Sequence, residues 1–148
     1  MKQLKTQHKF FQEVVERCNE KLQSDPGNIE FLRLRGIAHN IVELYDEAIQ
    51  DLSKVLDTTD TDEPSFFFRG DSYMNSGHHD LAKRDYINGV KLQNPDDAEV
   101  LKGYTPQVLS EVTITTQEEL ENIKKLLEYE KARILDSYFS SAGNTSNG

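Results

Sequence analysis

The chain repeats itself. Residues Asn28–Asp60 and Asp62–Asn94, laid over each other at an offset of 34, agree at Arg35/Arg69, Gly36/Gly70, Asp46/Asp80, Ala48/Ala82 and Asp51/Asp85. Between these fall equivalent pairs: Leu32/Phe66, His39/Tyr73, Leu52/Tyr86 and Leu56/Val90. Average composition gives about two chance identities over such a stretch, so five at structurally sensible places mark a real repeat. A repeat of this length folds as stacked supersecondary units, each burying its apolar face on its neighbours. The functional question becomes what the stack holds.

The units read as helical hairpins. Phe11, Val14, Val15, Cys18 and Leu22 recur at three- and four-residue intervals, which predicts a first helix over residues 3–24. Asp25-Pro26-Gly27-Asn28 ends it, and Asn28 is placed to cap the next helix. Two helix pairs follow, about 29–42 with 45–58 and 63–76 with 79–93. Ser76-Gly77 supplies the second hairpin's turn, and Glu43-Leu44 the first's without a glycine. Asn94-Pro95-Asp96-Asp97 opens a short helix near 97–103, which Gly103 and Pro106 stop. Thr113–Thr116 is β-branched and reads as an extended linker. Thr116 with Glu119 then forms a capping box for a long helix over 116–139. Its stripe is Leu120, Ile123, Leu127, Ile134, Leu135, Tyr138 and Phe139. The small, polar tail 140–148 is expected to be disordered. No strand-forming alternation extends beyond a few residues, so the expected fold is all-α, with residues 1–139 as one domain.

The spacing within each unit resembles the tetratricopeptide repeat (TPR), a 34-residue pair of antiparallel helices. A bulky residue (Leu32, Phe66) is followed four places on by glycine (Gly36, Gly70) and three further by a ring (His39, Tyr73). Twelve beyond the glycine stands a small residue (Ala48, Ala82), and four past that a large one (Leu52, Tyr86). The resemblance covers repeats at 29–62 and 63–96. It is partial over 8–28, where Phe11, Val14, Cys18, Leu22 and Pro26 look like the second helix of a preceding, incomplete unit within the N-terminal segment 3–28. It is poor beyond Gly103, within the irregular connection 97–115. The family's usual tryptophan is absent, and its late small residue is Val55 in one unit and Gly89 in the other. The implied architecture is a right-handed α-solenoid with a long C-terminal helix.

A stack of this kind has a concave face lined by the first helix of each unit. The register places Arg33, Ile37, Asn40 and Ile41 there from one repeat, and Phe67, Asp71, Met74 and Asn75 from the next. Ile37, Phe67 and Met74 are apolar where packing within the unit does not require it, which marks a groove for a peptide or helix. The competing expectation is that a terminal helix of this same chain covers them. A carboxylate clamp of the kind that grips chaperone C-termini is not expected, because Ile37 and Phe68 stand where the family would need asparagine. Arg35…Asp51 and Arg69…Asp85 are expected to be ion pairs across each hairpin.

Charge and composition exclude several classes. The net charge of -9 argues against nonspecific nucleic-acid or anionic-membrane binding. Cys18 is the only cysteine, so no intramolecular disulfide or thiolate metal cluster can form. The start of the chain lacks a signal-peptide pattern, and no apolar run suits a membrane helix. A cytoplasmic compartment is the default. His78-His79-Asp80 is the one dense cluster for metal or acid–base work, and it reads as a turn with an acidic helix start. No cofactor, metal or catalytic residue is expected. The expected function is a non-enzymatic adaptor or scaffold that binds a protein or peptide. The alternatives are a self-assembling scaffold and a small acidic secretion-type chaperone or co-chaperone; an enzyme at His78-His79-Asp80 is the least favoured.

Overall fold

A computed structural model describes residues 2–93 and 113–146. The helices are α1 (Lys2–Ser24), α2 (Ile29–Ile41), α3 (Tyr45–Thr58), α4 (Glu63–Asn75), α5 (His79–Gln93) and α6 (Gln117–Ser146). There is no strand among the described residues. None of the described helices is long and apolar enough to cross a membrane. The short helix expected near 97–103 lies outside the described residues. So does all of the 97–115 connection except 113–115, which is non-helical. The last helix runs on to Ser146, past the end expected near Phe139.

The sequence repeat is a repeat of bonds. Helices α2 and α4 start and stop at positions 34 apart, and so do the starts of α3 and α5. Asn28 caps α2 by accepting from the Phe31 N–H, and Asp62 caps α4 by accepting from the Ser65 N–H, both at 3.1 Å. The exits match as well. The Leu44 N–H reaches the His39 carbonyl and the His78 N–H the Tyr73 carbonyl, each at 2.8 Å. Between them Glu43 (φ 67) and Gly77 (φ 87) adopt the left-handed conformation that such a helix end requires.

Each hairpin is pinned by an arginine. Arg35 makes two bonds to Asp51, from Nε and Nη2, and Arg69 repeats both on Asp85. The third guanidinium donor reaches the preceding unit: Arg35 Nη1 bonds Asn19 Oδ1, and Arg69 Nη1 bonds Ser53 Oγ. Asn19 and Ser53 are themselves 34 apart. α1 therefore occupies the place of a second helix ahead of α2, with Cys18 where the next unit has Leu52. Cys18, Leu22, Leu32 and Val55 form one buried cluster at that end. Burial raises the Cys18 thiol pKa above its ordinary value, which keeps it protonated and unreactive.

Glycine supplies close approach at two kinds of place. A methyl on Gly36 would lie 2.6 Å from Leu52, and one on Gly89 would lie 2.6 Å from the Phe67 ring. The second contact explains why the late small residue differs between units. Phe67 in one repeat stands where Arg33 does in the other, and Gly89 replaces Val55 to admit the ring.

Candidate functional site

α6 packs on α4 and, less extensively, on α5, and its apolar stripe closes the larger core. Leu120, Ile123, Leu127 and Ile134 are buried in one cluster with Ile37, Leu52, Phe67, Phe68, Met74 and Ala82. The side chain of Leu127 comes within 3.3 Å of the point a Gly70 methyl would occupy, so the helix is seated against the α4 backbone. At its far end Phe139 meets Phe10 and Phe11 of α1 edge-on, at centroid distances of 5.6 and 5.8 Å.

Polar contacts fix the register. At the start of α6, Thr116 Oγ1 accepts from the Glu119 N–H at 3.0 Å, as the capping pattern predicts. Glu119 reaches back to the Thr115 N–H instead of that of Thr116, and also pairs with Lys83 of α5. Lys83 and Thr115 hold the Glu119 carboxyl below its usual pKa. Asp80 accepts from the Ile114 N–H at 2.8 Å, so this residue of the His78-His79-Asp80 cluster anchors the approach to α6. Further along, Arg133 pairs with Glu63 and with Glu130, and Glu130 also accepts from Gln93.

The central polar contact is Lys131. Its Nζ sits 2.7 Å from Asp71 Oδ2 and 5.9 Å from the centre of the Phe68 ring. Asp71 is 3% exposed and Asn40 2%. Asn40 Nδ2 donates to the same Asp71 oxygen at 2.9 Å and to Ser72 Oγ at 2.9 Å, while the Ser72 hydroxyl donates to the Phe68 carbonyl. Asn40 Oδ1 is buried without a hydrogen-bond partner. Beside this network is a cleft of about 390 Å³, lined among others by His8, Ile41, Glu43, Tyr45, Asn75 and Glu128.

The eight residues expected to line an open groove thus divide. Asn40, Ile41, Asp71 and Asn75 share the seam under α6. Ile37 and Met74 are buried in the core that α6 completes. Phe67 does not face the groove as a free contact: it is fully buried in its own unit, against Gly89 and edge-on to Tyr86 at 5.9 Å. Packing within the unit does require it, contrary to the expectation. Arg33 is turned to Asp62, the cap of α4. α6 thus covers the α4 side of the expected groove, and a cleft lined by Asn40, Ile41, Asp71 and Asn75 is left between it and α2. Lys131 escaped the sequence reading, since it sits in the charged run Glu128–Arg133, which looks like a solvated face. The available signal was Asp71, a carboxylate at a groove position where the other repeat has Ile37.

The arginine–aspartate pairs behave as braces. Burial pushes the Asp51 carboxyl up, but hydrogen bonds from His39 and Arg35 outweigh it and hold the carboxyl below its usual range. In the second unit the place of His39 is taken by Tyr73. There burial outweighs the Arg69 bonds and holds Asp85 above its usual range. No group of three or more metal-ligating side chains comes together among the described residues.

No family model matches the chain, and no solved structure does. Among curated proteins it is similar to DnaJ homolog subfamily C member 3 of Rattus norvegicus, Homo sapiens and Mus musculus. Each is 35% identical over 94 residues, which is 62% of this chain and 18% of the relative. The chain thus spans less than a fifth of the length of these relatives, and the likeness is to one stretch of a much longer protein.

Proposed function

We propose that this chain is a non-enzymatic interaction module of the TPR type, whose α2/α4 face holds a helical segment of a partner protein. The seating of α6 on α4 carries the reading: this side of the stack accommodates an amphipathic helix with apolar burial and a buried ion pair. Apolar contact supplies the affinity and the polar groups fix register, as in other helix-in-groove recognition. The likeness to proteins named as DnaJ homologues favours a chaperone-like form of the module. A partner enters by displacing α6, so α6 sets the threshold affinity.

The test compares capture of cellular proteins by the full chain, by Leu127→Asp, which weakens α6 docking, and by Leu127→Asp with Ile41→Glu. Capture should rise when α6 is loosened and fall when the groove wall is charged. Capture indifferent to both changes would contradict the reading. Exchange of α6 between two copies would use the same surface for self-assembly. Light scattering over a concentration series reports it, and a strict monomer excludes it.

A further inference from the structure

We propose that the groove selects a basic amphipathic helix, one carrying a lysine or arginine that sits on Asp71, with large aliphatic residues eight and four positions before it and three after it. The inference rests on the groove reading above and adds the chemistry of the partner. The spacing is that of Ile123, Leu127, Lys131 and Ile134 along α6.

Asp71 makes the selection. Uncovered, its carboxylate can be hydrated at little cost. Covered by any helix, it is buried as it is now, and among the described residues the donor it meets from the groove wall is the neutral amide of Asn40. A helix presenting an apolar side chain there would bury an uncompensated charge, which is strongly unfavourable. One presenting an acid would add repulsion, and Glu43 on the cleft wall would strengthen it. A lysine or arginine removes the penalty, so the site discriminates through the cost of the wrong partner as much as through attraction to the right one.

The surroundings fit a cation further. The Phe68 ring already lies under the Lys131 ammonium. Asn40 Oδ1 is an acceptor without a donor. The adjoining cleft has room for the longer, forked head of an arginine. The chain's net charge of -9 steers in the same direction.

The experiment uses the 148-residue chain carrying Ile123→Asp and Leu127→Asp, so that α6 leaves the groove. It is titrated, by fluorescence anisotropy, with labelled synthetic peptides spanning residues 113–139 of the native sequence. The native peptide and its Lys131→Arg form should bind within a few-fold of each other, and Lys131→Glu at least tenfold more weakly. With Asp71→Lys added to the chain, the Lys131→Glu peptide should become the tighter one. Equal binding of all peptides to both chains would overturn the basic anchor while leaving the groove reading standing. No binding of any peptide, by a chain that keeps its helical circular dichroism, would overturn the groove reading itself and the inference with it.

Should the α6 substitutions unfold the chain, the same cycle is read within the otherwise native protein. Hydrogen exchange across 117–139 should quicken in Lys131→Glu and in Asp71→Lys and return toward native protection in the double variant. A double variant no better protected than either single one would overturn the proposal.

Discussion

At the scale of single residues, equivalent positions of the two repeats solve one problem with different side chains, and each difference has a measurable cost. Glu43 and Gly77 both take a left-handed backbone at a hairpin turn, but only glycine does so without a clash between Cβ and the following carbonyl. Glu43→Gly should therefore stabilise by about 0.5–1 kcal/mol, and Gly77→Ala destabilise by about 1 kcal/mol, in urea unfolding. Gly89→Ala drives a methyl into the Phe67 ring and should cost about 1–3 kcal/mol. Because the two groups touch, Phe67→Leu should relieve part of that cost, making the double variant non-additive. Asp51 and Asp85 predict opposite titrations. The lowered Asp51 contributes stability that is present above the unfolded aspartate pKa of about 3.9 and is lost as pH falls through its folded value. The raised Asp85 contributes stability that is present below that value and is lost as pH rises through its higher folded pKa. Carboxyl carbon NMR should show the two midpoints on either side of the ordinary value. Coincident midpoints would contradict the role given to His39.

At the scale of elements, most of the hairpin architecture was legible in the sequence. Asn28, Pro64 at the start of α4, the glycine turn after α4 and the apolar spacing of α1 all act locally, so their meaning survives without knowledge of the fold. The place of α1 as a second helix was legible too, because Phe11, Val14, Cys18, Leu22 and Pro26 follow the pattern of the repeat's second helix. What α6 packs against was legible only as the competing expectation that a terminal helix covers Ile37, Phe67 and Met74, with which it shares a core. A stripe such as Leu120–Ile123–Leu127–Ile134 states that a face is buried, never on what. Phe67 was misread for a related reason: the compensating change at Gly89 lies 22 positions away on another helix. Lys131 is where the difference matters most. Lys131→Met keeps much of the side-chain volume but leaves Asp71 buried and unpaired by any cation, which should destabilise the protein by about 3 kcal/mol. The loss should appear first as faster hydrogen exchange along α6, before α2–α5 open. Uniform loss of protection throughout the protein would mean that α6 is integral to the stack instead of seated in it.

At the scale of the whole molecule, the stack and its occupant differ in kind. α1 to α5 are joined by bonds that repeat every 34 residues, each unit tied to the one before through its arginine. α6 breaks that pattern. It packs on α4 and α5, is held at one end by Lys83 and Asp80 and at the other by Phe10 and Phe11, and rests on Asp71 between them. α6 therefore completes the larger core. Under the function proposed above, a partner helix competes with this tethered segment. The central claim is that α6 sits in this groove in the native chain, and the most direct measurement is a nuclear Overhauser contact between the Leu127 methyls and the Gly70 α-protons. A strong cross-peak is expected, weakened when Lys131→Glu loosens the helix. Absence of that contact in a folded protein with a helical 117–139 segment would contradict it.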